Sequence, residues 1–242
     1  MKIVALVFLG ALGFSQVTNA HQIWIEQPAG EVAVIRFGEF GENLRETSPG
    51  LLDVFGKPTV TLISAKGERG GEAVKSPTGF TLSLRAGEGE TLVAEDAAYP
   101  LRKFKRDDRE VTSWYYPAAR FVTGFVAHPP KLTLDIVPTD EAGAFKVYFK
   151  GKPMPKAKVS IVVQSGWAKE AHSDEQGRVT FDLPWAGSYV LEANHVDRTP
   201  GERAGTRGPE KYDGINYVTT LHVSKANGVA SLPAGPAAAP NK

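Results

Sequence analysis

Short stretches in which apolar and polar residues alternate, separated by turn formers, run through most of this chain. Examples are Phe80-Thr81-Leu82-Ser83-Leu84-Arg85, Leu132-Thr133-Leu134-Asp135-Ile136, Phe145-Lys146-Val147-Tyr148-Phe149-Lys150 and Val179-Thr180-Phe181-Asp182-Leu183. Successive strand side chains point to opposite faces, so each stretch buries one face of an antiparallel sheet and wets the other. The punctuation is dense, with 25 Gly and 17 Pro in 242 residues. No long stretch carries a helical period; residues 48–55 admit one turn of helix. The fold class that follows is all-β.

His128-Pro129-Pro130 interrupts the pattern and cannot lie inside a sheet, which puts a domain boundary there. Residues 21–128 form an N-terminal β domain with strands expected near 22–27, 31–39, 59–66, 79–86, 90–97 and 110–125. Residues 131–224 are expected to carry strands near 132–137, 144–150, 157–164, 167–171, 177–183, 187–195 and 215–223. So many short strands in so few residues fit an immunoglobulin-like sandwich. Gly151-Lys152-Pro153-Met154-Pro155 and Ser173-Asp174-Glu175-Gln176-Gly177 supply turns in it, followed by a corner at Ala186-Gly187-Ser188-Tyr189. This order of turns and strands resembles the transthyretin or carboxypeptidase-regulatory type of β-sandwich. The fold expected is therefore two β-sandwich domains. Residues 225–242 are Ala, Gly, Pro and Asn without hydrophobic period, and read as a disordered tail.

Met1-Lys2, an apolar run from Ile3 to Phe14, and Val17-Thr18-Asn19-Ala20 follow the order of a cleaved secretory signal peptide. That run falls short of the ~20 residues of a spanning helix, so no stable membrane insertion is expected and the destination is periplasmic or secreted. The formal charge is +1, and the leader holds Lys2 and no acid, so the remainder is neutral. Neutrality argues against a nucleic-acid partner. With no cysteine in the chain, disulfides, thiolate metal sites, cysteine nucleophiles and a lipidated Cys are all excluded.

Cleavage after Ala20 leaves His21 first. Its free α-amine and ring Nδ1 are close enough to chelate one cation, and the amine, with a reference pKa of about 7.7–8.0, yields its proton near neutrality. One more imidazole completes a three-nitrogen site suited to copper, nickel or cobalt. His195 is the candidate. It continues the apolar face of Tyr189-Val190-Leu191-Glu192-Ala193-Asn194 and stands at the root of a long Gly-, Arg- and acid-rich loop, 196–214. Asp197, Glu202 and Asp213 on that loop are possible oxygen ligands or orienting groups. His128 borders the junction and is a further possible ligand. His222 alternates with Leu221 and Val223 and is expected at the surface, as is His172. The run 103–110 reads as an exposed hairpin, and Trp114-Tyr115-Tyr116 as packing. G-x-S-x-G, H-E-x-x-H and a phosphate-binding Gly loop are all missing, so no enzyme activity is expected.

His21-x-x-Trp24-Ile25 after a leader, Val34-x-x-Phe37-Gly38 with Phe40, Thr112-Ser113-Trp114-Tyr115-Tyr116 with Ala119, Ala193-x-His195, Tyr212-Asp213 and Thr219-Thr220-Leu221 together resemble the domain-of-unknown-function 4198 family. The resemblance implies a periplasmic component associated with nickel or cobalt uptake, and carries the mature N-terminal histidine onto His21 and the loop-root histidine onto His195. The function expected is a periplasmic binder of a divalent transition metal (nickel, cobalt or copper) that passes its ion to a membrane metal importer. Two other classes stand beside it: a structural or adhesive β protein without metal, and a copper oxygenase with a histidine brace.

Overall fold

The computed structural model describes residues 21–241. The leader and the bond after Ala20 lie outside the described residues. Strands follow one another as β1 (Gln22–Glu26), β2 (Val34–Glu39), β3 (Leu44–Arg45), β4 (Thr59–Ser64), β5 (Gly67–Gly71), β6 (Ala73–Ser76), β7 (Gly79–Leu82), β8 (Thr91–Glu95), β9 (Leu101–Arg106) and β10 (Arg109–Val122). Then come β11 (Leu134–Pro138), β12 (Ala144–Phe149), β13 (Lys152–Pro153), β14 (Lys158–Val162), β15 (Ala168–His172), β16 (Arg178–Thr180), β17 (Gly187–Asp197), β18 (Gly201–Gly205), β19 (Gly208–Tyr212) and β20 (Gly214–Lys225). A 3-10 turn at Leu51–Val54 falls where the sequence allowed one turn of helix. The fold is all-β, as the alternation predicts. Among the described residues no helix is long and apolar enough to cross a membrane.

One nine-stranded sheet, β15-β14-β17-β20-β10-β8-β4-β5 with β9 added to β10, takes strands from both sides of the His128–Pro130 break. Its seam is the parallel pairing of β10 with β20, from Ser113 opposite Gly214 to Val122 opposite Val223. Pro117 is tolerated inside β10 because it falls between the two antiparallel partners on the other edge: the pairing with β9 stops at Trp114, and that with β8 starts at Ala118.

Alternation along the seam sends side chains to two cores. Tyr115, Ala119 and Phe121 of β10 join Ile23, Ile25, Phe37 and Phe80, covered by the five-stranded sheet β1-β2-β7-β6 with β3. Trp114, Tyr116 and Val122 join Phe145, Tyr189, Tyr217 and Leu221, covered by the four-stranded sheet of β11, β12, β13 and β16. The central sheet is therefore buried on both faces. Arg120 and Asp135, both fully buried, pair across to β11 with Nε–Oδ1 3.0 Å and Nη2–Oδ2 2.7 Å.

Three expectations change. His222 is buried, 5% exposed, because the face of β20 opposite Leu221 and Val223 is a second interior covered by β1. The 196–214 loop is largely a hairpin, β18 with β19, docked by Arg203, whose Nη1 donates to the carbonyls of Ala97 (3.0 Å) and Tyr99 (2.7 Å). The tail is laid along the fold: Val229 bridges Trp185, and Ala238 bridges Leu44. Composition suggested no structure there because these contacts are all made with residues distant in sequence.

Candidate functional site

The first strand is pinned along its open edge. β1 has a strand partner on one side only, β2. On the other side its alternate carbonyls meet side chains of the central sheet. Tyr115 Oη donates to His21 O at 2.8 Å, Thr220 Oγ1 to Ile23 O at 2.7 Å, and His222 Nδ1 to Ile25 O at 2.5 Å. Carbonyls at i, i+2 and i+4 of a strand point the same way, so one row of donors satisfies the whole edge. Burial holds the Tyr115 hydroxyl well above its ordinary pKa, helped by the nearby Glu192 charge, so it stays a proton donor. Burial likewise pushes His222 down, keeping that imidazole neutral.

His21 stands at the end of this strand against the Phe37 ring, centroids 5.2 Å apart. Two carboxylates address opposite nitrogens of its ring. Glu46 Oε1 is 2.6 Å from Nε2 and Glu39 Oε1 is 3.3 Å from Nδ1. Glu39 ends β2, and Glu46 follows the short β3 that pairs back onto β2. Gly38 makes that close return possible: its φ is +143°, and a Cβ there would lie 2.3 Å from the Leu44 carbonyl oxygen. Glu46 is fully buried. Besides the imidazole it accepts from Asn241, the backbone N–H at 3.0 Å and the side-chain amide at 2.8 Å.

Two acids near the ring, Glu39 and Glu192, resist ionisation. Burial raises the Glu39 pKa, with Glu42 and Glu46 adding to it and His21 opposing. Glu192, opposite Thr220 on β17, is pushed up to about 7, first by burial and then by the charge of Glu39, with Lys158 pulling the other way. A cation would relieve both. A cavity of about 450 Å³ opens beside the ring, walled by Phe37, Tyr99, Tyr115 and Asn216, with Arg102 also lining it. Among the described residues no group of three His, Cys, Asp or Glu side chains is arranged to hold a metal ion.

His195 is not brought to His21. It lies opposite Tyr217 on β20 and packs on Phe149 of β12, ring centroids 4.3 Å apart. Its neighbour across the strand step, Asn216, lines the His21 cavity on the reverse face. Strand parity thus separates the two imidazoles by the thickness of the sheet. Asp197 accepts from Thr199 and from Lys150 Nζ (3.1 Å), which hold its pKa down to about 2. Asp213 is exposed and accepts the Thr112 N–H at 2.7 Å, tying the hairpin to β10. Glu202 is exposed on β18. His128 lines a separate cavity with Glu88 and Glu90, and burial first, then the Arg120 charge, lowers its pKa. None of these groups touches the His21 ring.

Glu39, Glu46, Glu192 and Asn241 escaped the sequence reading. A signal for Glu192 was there, since it occupies an even position on a strand whose odd positions are apolar. The covering of both faces was what the pattern hid.

Fold and site together define an all-β protein whose first described residue is an imidazole held between carboxylates. A family profile described as "Domain of unknown function (DUF4198)" matches residues 18–197, and the chain belongs to that family. No curated protein and no solved structure matches it.

Proposed function

We propose that this protein binds a divalent late transition-metal ion at His21 and carries it in the periplasm, passing nickel, cobalt or copper to a membrane importer. Cleavage before His21 would supply the α-amine, and with Nδ1 and the Glu39 carboxylate it makes a nitrogen- and oxygen-rich donor set of the kind copper(II) and nickel(II) accept. Glu192 lies next in line as a further oxygen donor or as an orienting group. His195 has no part in this set.

The supporting observation is the Glu46 contact. With Glu46 accepting at 2.6 Å, the proton of this contact sits on Nε2. In the neutral imidazole that carries its proton on Nε2, Nδ1 keeps its lone pair on the side facing Glu39. Metal-binding imidazoles ordinarily donate their other N–H to a carboxylate in this way. The spacing also fits. Donors each about 2.1 Å from one cation stand about 3.0 Å apart at a right angle and about 3.4 Å apart at a tetrahedral one, against 3.3 Å here between Nδ1 and Glu39 Oε1.

The test is metal titration by competition with a chromogenic chelator, using a chain that begins at His21 and one carrying a single extra residue before it. The extension should weaken copper and nickel binding by more than about 100-fold, because it converts the amine to an amide that holds its proton. Equal affinities reject the chelate.

A further inference from the structure

We propose that Asn241 is a positioning residue for the His21 ring, acting through Glu46. The two are 195 positions apart in the chain. The consequence for metal affinity rests on the function proposed above; the consequence for the ring's protonation does not.

Glu46 is a fully buried carboxylate whose side-chain partners among the described residues are the His21 imidazole and the Asn241 amide. Charge removed from water must be met by hydrogen bonds. Its Oε1 accepts from His21 Nε2 at 2.6 Å and from the Asn241 side-chain amide at 2.8 Å; its Oε2 accepts the Asn241 backbone N–H at 3.0 Å. Asn241 thus makes two of these three bonds and is the described donor to Oε2. The amide nitrogen also lies 3.1 Å from His21 Nε2, because both groups aim a proton at the same oxygen.

The ring has two neutral forms to choose between. With the proton on Nε2 it donates to Glu46; with the proton on Nδ1 it donates toward Glu39, 3.3 Å away. Only the first leaves Nδ1 able to take a metal ion beside the α-amine. By fixing Glu46 in place, Asn241 weights the balance toward the first form.

The path of the tail is built for this. Gly235 is held at both ends, its N–H donating to Gln164 O (3.2 Å) and its carbonyl accepting from Asn43 Nδ2 (2.9 Å). Ala238 then bridges Leu44, two residues before Glu46. Pro233, Pro236 and Pro240 fix φ along the way, which lowers the entropy lost on docking.

The experiment compares three chains that begin at His21: the full chain, Asn241→Ala, and one ending at residue 232. Long-range ¹H–¹⁵N correlation spectra of the metal-free proteins at pH 8 read the His21 tautomer directly, and Ni²⁺ titration reads affinity. The full chain should show the Nε2–H form. Both variants should shift toward a mixture and bind Ni²⁺ about 10-fold more weakly, the lower end of what loss of an outer partner costs. Thermal unfolding of Asn241→Ala should stay cooperative with Tm lowered by about 3–12 °C, since one donor to a buried carboxylate is lost while the backbone N–H at 241 remains. An unchanged tautomer in both variants overturns the proposal. A shifted tautomer with undiminished Ni²⁺ affinity upholds the positioning role and refutes its consequence for metal binding. A full chain that shows the Nε2–H form, loses it on Asn241→Ala and binds no Ni²⁺ refutes the metal reading and upholds the positioning role.

Discussion

Replacing Arg120 by Met should destabilise the whole molecule and not one half of it. The guanidinium and the Asp135 carboxylate are each fully buried, and they join β10 of the central sheet to β11 of the four-stranded sheet. Oδ2 of Asp135 keeps two backbone donors, Lys131 N–H at 2.7 Å and Leu132 N–H at 3.0 Å. Oδ1 has Arg120 Nε, at 3.0 Å, as its described donor, and Thr91 Oγ1 also accepts from Nη1, at 3.2 Å. Removing one partner of such a pair strands the other charge, at a cost of about 3–5 kcal/mol.

For a chain of this size each kcal/mol moves Tm by about 2–4 °C, so the loss should be on the order of 6–20 °C. The assay is urea unfolding followed by circular dichroism, with the midpoint falling at constant slope. Adding Asp135→Asn removes the stranded charge while keeping an oxygen for the two backbone N–H groups. The double variant should regain more than half of the loss, since neutral replacement of a buried pair is often tolerated. A single variant that loses less than about 1 kcal/mol refutes this reasoning, as does a double variant no more stable than the single one.

Two further outcomes follow from groups held away from their ordinary protonation. Glu192 ionises near pH 7 in the fold and near 4.5 when unfolded, so the folded state is relatively favoured below 4.5 and that advantage is lost as pH rises through 7. Glu192→Gln should therefore raise Tm at pH 8 and leave it unchanged at pH 4, and scanning calorimetry at the two pH values checks this. His222 has its folded pKa depressed by burial. Its contribution is complete above about 6.5 and falls away as pH drops toward the folded value. His222→Gln, which keeps a donor for Ile25 O, should show less loss of urea midpoint between pH 7.5 and pH 5 than the parent; equal losses would show that another group carries the effect.

Period-two alternation was enough to read the all-β class and to anticipate β1, β2, β4, β7, β8, β10–β12, β14–β17 and β20, because each strand's own burial pattern is local; it missed β3, β5, β6, β9, β13 and the β18–β19 hairpin, which are short or largely exposed. What alternation could not carry was which face was truly outer. Thr220 and His222 sit at positions that look solvent-facing beside Leu221 and Val223, and both are turned into a second interior by β1. The parallel β10–β20 pairing that creates this interior joins segments about a hundred residues apart, and nothing in either segment's composition announces its partner. Asn241 is the extreme case. Ala-Gly-Pro composition is read as disorder because it offers no apolar face, yet here the segment is held by backbone and amide hydrogen bonds, which composition does not register.

His21 stood out for a reason independent of the fold: a histidine left first by removal of an expected leader would carry two nitrogens within one chelate ring. Its partners did not, because they are chosen by register. β2 and β3 meet so that Glu39 lies opposite Leu44 and Gly38 opposite Arg45, which sets Glu39 and Glu46 on the two sides of one imidazole. A shift of one residue in that pairing would turn Glu46 to the face of the sheet opposite Glu39. The three donors along β1 oppose such a slip at the other end, since moving β1 by one residue would present N–H groups to Tyr115, Thr220 and His222 in place of carbonyls. Histidine placement therefore depends on hydrogen bonds made up to four residues downstream of it. Disrupting the row at Thr220 or His222 would disturb the site without touching any group that contacts the ring.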